Sequence, residues 1–332
     1  MDLKPNIVIL STGGTITGWA VDMLSTKNYE IGKINIQSLL QSTPGFQNIA
    51  NITLEEIANI DSANMNNEIW MQLAHKTNNL LEDSNIDGIV ITHGSDTLEE
   101  SAYFLHLVIK SHKPVVFTAA MRPFSATGSD AIKNLYNAIS LAGHKEASNK
   151  GVMVVMNDKI YSAREVSKTH TLNLEAFNAP NSGAMGYIID GEIFFNTIPL
   201  KPHTQNTPFN IQDLDILPKV DIVYSYCNDG SKVAVEAFVK TGSKGLIIAG
   251  SGAGSIHKDH KDYLRQLLKN KQLIVVKSSR VGAGLVPLTQ EELREGFISA
   301  NNLNPQKARV LLMLALTKTK VINSLREYFK KY

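Results

Sequence analysis

Asn6-Ile-Val-Ile-Leu10 runs directly into Ser11-Thr-Gly-Gly-Thr15 near the start of the chain. The apolar part is too short for a membrane span or for the apolar region of a secretory signal. Its near-continuous Val and Ile content is typical of a strand buried on both faces of a parallel sheet. The paired glycines then allow a tight turn that brings the backbone close to a ligand. We therefore predict a buried first strand that ends in a candidate binding loop.

The same pattern of a short Val- and Ile-rich run followed by a helical pattern recurs along the first half of the chain. The other predicted strands are Gly88–Thr92, Val115–Ala119 and Val152–Met156. Thr97 and Glu100 have capping-box spacing, which predicts the start of a helix after the second of these strands. A further helix is predicted from Asp130 to Gly143. This alternation predicts an α/β fold with a doubly wound, mostly parallel sheet.

The organisation of the 332 residues predicts two domains. Residues 199–218 contain four prolines and little periodicity, which suits a linker. We place the larger N-terminal domain, with the catalytic loops and a lid, at 1–198 and a smaller C-terminal α/β domain at 219–332. The second domain should contain three strands and a final helix that begins at Asn304-Pro305; the strands are Val220–Tyr226, Leu246–Ala249 and Leu273–Val276.

Composition excludes several classes of protein. The formal charge is only +2 and basic residues are scattered, so a nucleic-acid partner is not expected. No apolar run reaches the length of a membrane span. The lone Cys227 has no partner for a disulfide or a metal site, and we interpret it as a core residue. No G-x-G-x-x-G follows the first strand, which excludes a dinucleotide fingerprint.

Ligands of open parallel sheets bind at the carboxyl ends of the strands, and four loops there carry polar groups. Thr12 lies on the first loop, which is alternatively a plain turn or a degenerate phosphate loop. The second loop offers Ser95 and Asp96, although Asp96 is alternatively only a helix cap. Lys168 follows a later strand, where a lysine is by default solvated, and the glycine-rich loop 249–255 is either a phosphate cradle or a flexible turn. Hydroxyls, a carboxylate and a lysine without a histidine triad or metal cluster together favour acyl transfer by a hydroxyl nucleophile.

Four motifs make the chain similar to a known family. They are Thr12-Gly-Gly-Thr-Ile16, Ile91-Thr-His-Gly-Ser-Asp-Thr-Leu-Glu-Glu100, Ala120-Met-Arg-Pro123 and Leu303-Asn-Pro-Gln-Lys-Ala-Arg309. Together they resemble the bacterial type II L-asparaginases and glutaminase-asparaginases, and the likeness covers essentially the whole chain. The resemblance implies hydrolysis of L-asparagine to L-aspartate and ammonia, with possible minor glutaminase activity and with neither cofactor nor metal.

The resemblance also implies catalytic roles. Thr12 would attack the side-chain amide carbon and form an aspartyl ester. Ser95, Asp96 and Lys168 match the second catalytic group. Tyr29 would help to take the proton from Thr12 and belongs to a mobile lid from about Thr15 to Gly32, whose polar, glycine-flanked composition suits closure.

By the same resemblance, Ser62 would bind the substrate α-carboxylate, Asp96 its α-amino group, and Ala120 and Ser95 would also contact substrate. Ser255 and Glu292 would complete the site of a neighbouring subunit, with Glu291 as the alternative to Glu292. This implies a homotetramer built from intimate dimers. The chain departs from the family pattern where Ser95 replaces a threonine, Ala63 a polar residue and Ser255 an asparagine.

Two other functions remain open at this point: an ammonia-releasing amidotransferase subunit and a catalytically silent amino-acid-binding protein. The lack of a basic face argues against the first, and the retained Thr12, Tyr29 and Lys168 argue against the second. As written, the chain is expected to be cytoplasmic, or periplasmic if a presequence has been removed.

Overall fold

The computed structural model of the protein describes residues 3–26, 28–30, 32–43, 45–214 and 216–332. Contacts divide the chain into two compact units, Met1–Ile211 and Gln212–Tyr332. The division falls inside the stretch 199–218 that the sequence predicts as a linker. The exact domain boundaries stay a prediction.

The first unit is built on an eight-stranded sheet in the order β10-β9-β6-β5-β4-β3-β1-β2. Strands β2, β1, β3, β4 and β5 are parallel neighbours, whereas β6, β9 and β10 are joined in antiparallel pairs at the other side. The strands of this unit, including the short pair β7–β8 outside the large sheet, are β1 (Asn6–Gly13), β2 (Asn51–Ile60), β3 (Gly88–Thr92), β4 (Val115–Thr118), β5 (Val152–Met156), β6 (Lys159–Ser162), β7 (Ser167–Lys168), β8 (Phe177–Asn178), β9 (Gly186–Ile189) and β10 (Glu192–Phe195).

Helices cover this sheet because their apolar faces match the buried strands. The helices of the first unit are α1 (Ile36–Ser42), α2 (Phe46–Ile49), α3 (Asn67–Glu82), α4 (Leu98–Val108) and α5 (Ala131–Ala142). Leu135, Ala138 and Ile139 of α5 are buried in one cluster with Ile7 and Ile9 of β1. The predicted fold class is confirmed, and α5 lies where the sequence predicts a helix between Asp130 and Gly143.

The second unit repeats the α/β layering on a smaller scale, with a parallel sheet in the order β11-β12-β13-β14. Its elements are β11 (Val220–Tyr224), α6 (Lys232–Lys240), β12 (Gly245–Gly250), α7 (Lys258–Lys269), β13 (Ile274–Ser279), α8 (Gln290–Glu295), β14 (Ile298–Ser299), α9 (Pro305–Leu316) and α10 (Ile322–Lys331). Asn304 caps α9 by accepting a hydrogen bond from the Lys307 amide, which confirms that predicted helix start. The prediction that this helix is the last one is wrong because α10 follows it, and β14 is a fourth strand beyond the three predicted.

Two further local predictions are wrong. Thr97 precedes α4, but its hydroxyl makes no cap to the helix and instead donates to the Ser62 carbonyl oxygen at 2.8 Å, so the capping box with Glu100 does not form. Cys227 is exposed rather than part of the core, because it lies beyond the end of β11 in a turn. Among the described residues, no helix combines the length and the apolar character needed to cross a bilayer.

Candidate active site

The hydroxyl of Thr12 lies at the carboxyl end of β1, beside the end of β3. The parallel register pairs Ser11 with Thr92, which places Thr12 at the last residue of β3. Thr12 is almost completely buried, and its Oγ1 donates to the Thr92 carbonyl oxygen at 3.0 Å. The predicted nucleophile therefore sits at the sheet edge with its proton directed at a backbone acceptor.

The glycines after Thr12 hold three chain segments together. Gly13 and Gly14 have φ of 95° and 87°, values that L side chains rarely adopt. A Cβ on Gly14 would lie 2.4 Å from Gly94 Cα, and one on Gly13 would lie 2.6 Å from the Ile60 nitrogen. The Gly14 amide also donates to the Ile60 carbonyl oxygen at 3.1 Å. Only glycine permits this packing of the turn after β1 against the loop after β3 and the end of β2.

Ser95 and Asp96, which follow β3, form a hydrogen-bonded cluster with Lys168 of β7. The Lys168 ammonium donates to Ser95 Oγ at 2.9 Å and to Asp96 Oδ1 at 2.5 Å. The Lys168 side chain is 15% exposed and that of Asp96 is 60% exposed. The lysine is thus largely covered while the carboxylate reaches solvent, where a substrate can meet it. These three predicted residues are brought together although 72 positions separate Asp96 from Lys168.

Ser62 joins this cluster from the short 3-10 helix Ser62–Asn64, which follows β2. Its buried hydroxyl accepts a hydrogen bond from the Asp96 amide at 3.2 Å, and a Cβ on Gly94 would lie 2.6 Å from Ser62 Oγ. The positions predicted to bind the two charged ends of an amino acid are therefore adjacent. Ala63 beside them is exposed.

Glu99 is a residue of this region that sequence reasoning missed. It is a buried carboxylate in the first turn of α4. Its Oε2 accepts from Ser167 Oγ at 2.8 Å, and its Oε1 accepts from the Lys168 amide at 3.4 Å. Glu99 therefore ties the strand that carries Lys168 to the helix that follows Ser95 and Asp96. Acids are common in the first turn of a helix, so the sequence around Glu99 gave no signal of its burial.

A second missed acid, Asp130, holds the loop after β4. Its carboxylate accepts hydrogen bonds from the amides of Met121 and Arg122, each at 3.0 Å. Burial raises the pKa of Asp130, and these hydrogen bonds oppose the rise. Ala120, which the resemblance assigns to substrate binding, is buried two residues beyond β4 and immediately before this clamped segment.

His93 is fully buried between β3 and the loop that carries Ser95 and Asp96. Burial lowers its pKa to about 4, against the opposing effect of its hydrogen bond to Gly94. The ring is thus neutral near pH 7, and its Nδ1 donates to the Gly94 carbonyl oxygen at 2.7 Å, because a carbonyl only accepts. This hydrogen bond holds the backbone of the loop at Gly94.

Tyr29 lies against the beginning of the predicted lid. Its hydroxyl shares a hydrogen bond of 2.8 Å with Thr15 Oγ1, and a Cβ on Gly18 would lie 2.8 Å from Tyr29 Cδ2. Thr12 Oγ1 donates to the Thr92 carbonyl oxygen, so the predicted proton transfer to Tyr29 stays a prediction. The lid positions Lys27 and Ile31 lie outside the described residues. Among the described residues, no cluster of His, Cys, Asp and Glu is suited to hold a metal ion.

Ser255 and Glu292 both lie in the second unit. Ser255 is exposed in a loop closed by a hydrogen bond from its amide to the Ser251 carbonyl oxygen at 2.7 Å. Glu292 is buried, and its Oε1 accepts from Lys277 at 2.7 Å and from Lys261 at 2.9 Å. Burial alone would raise the pKa of Glu292, but hydrogen bonds from Lys277, the Thr289 amide and Lys261 outweigh it and hold the pKa at about 2. Whether either residue reaches a neighbouring site stays a prediction.

Both units of the chain match known protein families. Residues 6–201 match the family described as "Asparaginase, N-terminal", and residues 219–329 match the "Glutaminase/Asparaginase C-terminal domain". The chain belongs to the asparaginase family. This confirms the resemblance inferred from the motifs.

Individual members of the asparaginase family resemble the chain along its whole length. The chain is 46% identical to "L-asparaginase 2" of Bacillus subtilis (strain 168) over 99% of its length and 87% of the relative. It is 43% identical to "Probable L-asparaginase periplasmic" of Haemophilus influenzae over 99% of its length and 93% of the relative. Among solved structures, "Probable Cytoplasmic L-asparaginase from Campylobacter jejuni" has a TM-score of 0.97 and 56% identity, covering 99% of this chain and 100% of that one.

Proposed function

We propose that this asparaginase-family protein hydrolyses L-asparagine to L-aspartate and ammonia, with Thr12 as the nucleophile. The observation that carries the proposal is the hydrogen-bonded cluster of Ser95, Lys168 and Asp96. The loop that carries Ser95 and Asp96 packs through Gly94 against Gly14, in the turn that follows Thr12. A hydroxyl, a largely covered lysine and an exposed carboxylate are the parts that amide hydrolysis by acyl transfer requires.

In the first half-reaction, Thr12 Oγ1 bonds to the side-chain amide carbon and loses its proton. The carbon–nitrogen bond then breaks, and the proton reaches the departing nitrogen, which leaves as ammonia. Thr12 Oγ1 must first exchange its hydrogen bond to Thr92 for one to a proton acceptor. Tyr29 fills that role once its hydroxyl leaves Thr15, a change that movement of the lid would supply.

In the second half-reaction, water attacks the aspartyl ester of Thr12 and regenerates the free hydroxyl. Ser95 Oγ and Lys168 Nζ are 2.9 Å apart and form a path for the proton that the water gives up. A substrate ammonium at Asp96 would compete with Lys168 Nζ for the carboxylate oxygen that Lys168 contacts.

The protein offers one group for each charged end of an amino-acid substrate. The Asp96 carboxylate, 60% exposed, is suited to the α-ammonium. Ser62, whose hydroxyl accepts a hydrogen bond from the Asp96 amide, is suited to the α-carboxylate. Ala120 is proposed to contact substrate from the loop after β4, the strand that pairs with β3. A free amino acid therefore fits better than an amide inside a polypeptide.

Ammonia release measured with Asn and with Gln on purified Thr12→Ala tests the nucleophile and the two other functions. Turnover should fall by at least about a thousandfold with folding intact. Thr118→Ala is a matched control, since Thr118 is also a buried strand-end threonine, whose Oγ1 donates to the Val155 carbonyl oxygen at 2.9 Å. It should keep turnover within about threefold. Near-normal turnover of Thr12→Ala would end the proposal, and a parent protein that releases no ammonia would favour a silent binding protein.

The proposed assembly is a homotetramer of intimate dimers in which Ser255 and Glu292, or Glu291, complete a neighbouring site. The exposed position of Ser255 in its loop is compatible with such a contact. Light scattering at assay concentration tests it, and an active monomer would contradict the shared site.

The proposed compartment is the cytoplasm, which is the location in the name of the Campylobacter jejuni protein. The Haemophilus influenzae relative is named periplasmic, so cell fractionation of the native source organism is needed to decide between them.

A further inference from the structure

A large open groove lies in the second unit at the amino ends of its parallel strands, where Lys244, Leu273 and Gly296 line it just before β12, β13 and β14. Its volume is about 1100 Å³. Sites for small organic molecules measure roughly 300–1,000 Å³, so this groove has room for one such molecule. The predicted catalytic loops lie elsewhere, at the carboxyl ends of strands.

The wall of the groove is apolar and partly uncovered. Leu217, Leu273 and Leu316 are buried at its base. Ile216 and Val321 line the same groove with 83% and 61% of their surfaces exposed. Two large aliphatic side chains left in water around one cavity indicate a surface that an apolar group can cover.

The rim of the groove is positively charged. Lys244, Lys271 and Lys320 line it, and among the described residues none of them has a carboxylate partner. Lys219 also lies at the rim, and its ammonium donates a hydrogen bond to Thr241 Oγ1 at 2.7 Å. Of the described residues that line the groove, only Glu295 is acidic, and it is paired with Arg265 at 2.7 Å. The groove therefore combines an apolar wall with three lysines available to an anion.

Helix α10 begins at this rim and adds to the positive potential. Val321 is its N-cap residue, and no side chain caps the helix there. Val321 and Ile322 both line the groove. The first amides of a helix lack partners within the helix, and its dipole places partial positive charge at this end. A negative group in the groove near Val321 would supply the missing acceptor.

We propose that this groove binds an amphipathic anion, an unbranched aliphatic chain that ends in a carboxylate. The carboxylate lies between Lys320 and the first turn of α10, and the chain lies along Leu273, Leu316 and Ile216. Lysines are mobile point charges that neutralise a single small headgroup without requiring the fixed fork of arginine. Free aspartate, the product proposed above, has no apolar part to use this wall, so the groove is separate from the proposed catalysis.

Isothermal titration of the full-length protein with sodium laurate, below its micelle concentration, tests the proposal. Laurate should bind saturably with one site per chain. Dodecyltrimethylammonium, which has the same chain and the opposite charge, should bind at least about tenfold more weakly, and so should inorganic phosphate, which lacks the chain. Equal affinity for the cationic detergent, equal affinity for phosphate or no saturable laurate binding would each overturn the proposal.

Substitutions at the N-cap of α10 locate the site. Val321→Asp places a carboxylate at the uncapped helix end and should weaken laurate binding at least about tenfold without lowering stability, because aspartate is a preferred N-cap residue. Val321→Asn is the matched control: it removes the same apolar surface and caps the helix without a charge, so it should bind laurate better than Val321→Asp. Equal laurate affinities of the two variants would overturn the placement of the headgroup.

Charge reversal at the rim gives an independent measurement. Lys320→Glu, just before α10, should weaken laurate binding, whereas Lys258→Glu, at the exposed start of α7 and outside the groove, should not. If both variants bind as the parent does, the groove is not the laurate site. If laurate does not bind and Val321→Asp lowers the oligomer mass in light scattering, a second copy of the chain covers the groove and the proposal is wrong.

Discussion

Replacing Gly14 by alanine separates the turn that carries Thr12 from the loop that carries Ser95. Gly14 has φ 87° and ψ −178°, a conformation that is essentially restricted to glycine. The added Cβ would lie 2.4 Å from Gly94 Cα and 2.5 Å from the Gly94 nitrogen. Both are backbone atoms, so no change of rotamer relieves the contact. The two loops must move apart for the alanine to fit.

The size of the effect follows from these distances. Ordinary van der Waals contact begins at 3.4 Å, so the two loops must separate by about 1 Å. Misplacing catalytic groups by this distance costs about a hundredfold in rate. The backbone conformation costs about 1–3 kcal/mol and the overpacking about 1–3 kcal/mol more. With a total stability of about 5–15 kcal/mol, we expect the variant to fold and to be measurably destabilised.

Gly183→Ala is the matched control for this substitution. Gly183 also has a positive φ, of 76°, but a Cβ there would meet nothing within 4 Å. It should therefore lose about 1–3 kcal/mol of unfolding free energy and keep its turnover. Ammonia release and urea unfolding are measured on both variants. The reasoning fails if Gly14→Ala turns over asparagine as fast as the parent and loses no more stability than Gly183→Ala.

Three further predictions concern the catalytic cluster, the substrate and the buried acid of the second unit. Ser95→Thr should keep or raise kcat by up to several-fold, because a β-branched residue orients its hydroxyl better towards Lys168, whereas Ser95→Ala should lower kcat far more; an alanine variant as fast as the parent would exclude this hydroxyl from the mechanism. Asparagine should be preferred to glutamine in kcat/KM, since Ala63 offers no polar contact to restrain the longer substrate, and equal values would refute this. The pKa of Glu292 is about 2 in the folded protein and 4.5 in its ordinary range, so its stabilisation is complete above about pH 4.5 and is lost as the pH falls towards 2. Urea unfolding should show Glu292→Gln less stable than the parent by about 3 kcal/mol at pH 7 and by clearly less at pH 3, and a difference independent of pH would contradict the assignment.

The parallel core and the loops at its carboxyl end could be predicted from the sequence. Strands buried on both faces are nearly continuous in Val and Ile, and β3 and β5 begin and end where that pattern predicts. Because the ends of parallel strands meet at one edge, polar residues placed directly after them are expected to converge. Ser95 and Asp96 follow β3 at this edge, whereas Lys168 reaches them from β7, outside the large sheet.

The antiparallel side of the sheet and the buried acids could not be predicted. Strands β6, β9 and β10 are only four residues each, too short for a pattern of period two to be read. Glu99 looks like an ordinary acid in the first turn of a helix, and its partners are supplied by a strand about seventy positions away. At Thr97 the sequence predicts a contact that does not form. The spacing of Thr97 and Glu100 predicts a capping box from local sequence alone, but the Thr97 hydroxyl donates instead to the Ser62 carbonyl oxygen, from a distant part of the chain.

Glu291 and Glu292 show why spacing alone cannot assign a role to neighbouring acids. Consecutive residues of a helix point about 100° apart, so only one of the two can face the interior of its own domain. Glu292 is the one that faces the interior. Its Oε2 accepts from the Thr289 amide at 2.9 Å and completes a capping box, and its Oε1 accepts from Lys277 and Lys261. Glu291 is 67% exposed and meets only the partly exposed Arg265, at 3.0 Å, among the described residues. A carboxylate that must enter the site of another subunit needs an uncommitted oxygen, and breaking the buried ion pairs of Glu292 would leave two lysines uncompensated. For the proposed tetramer we therefore propose Glu291, rather than Glu292, as the residue that contacts a neighbouring chain, and we infer that Glu292 stabilises its own domain.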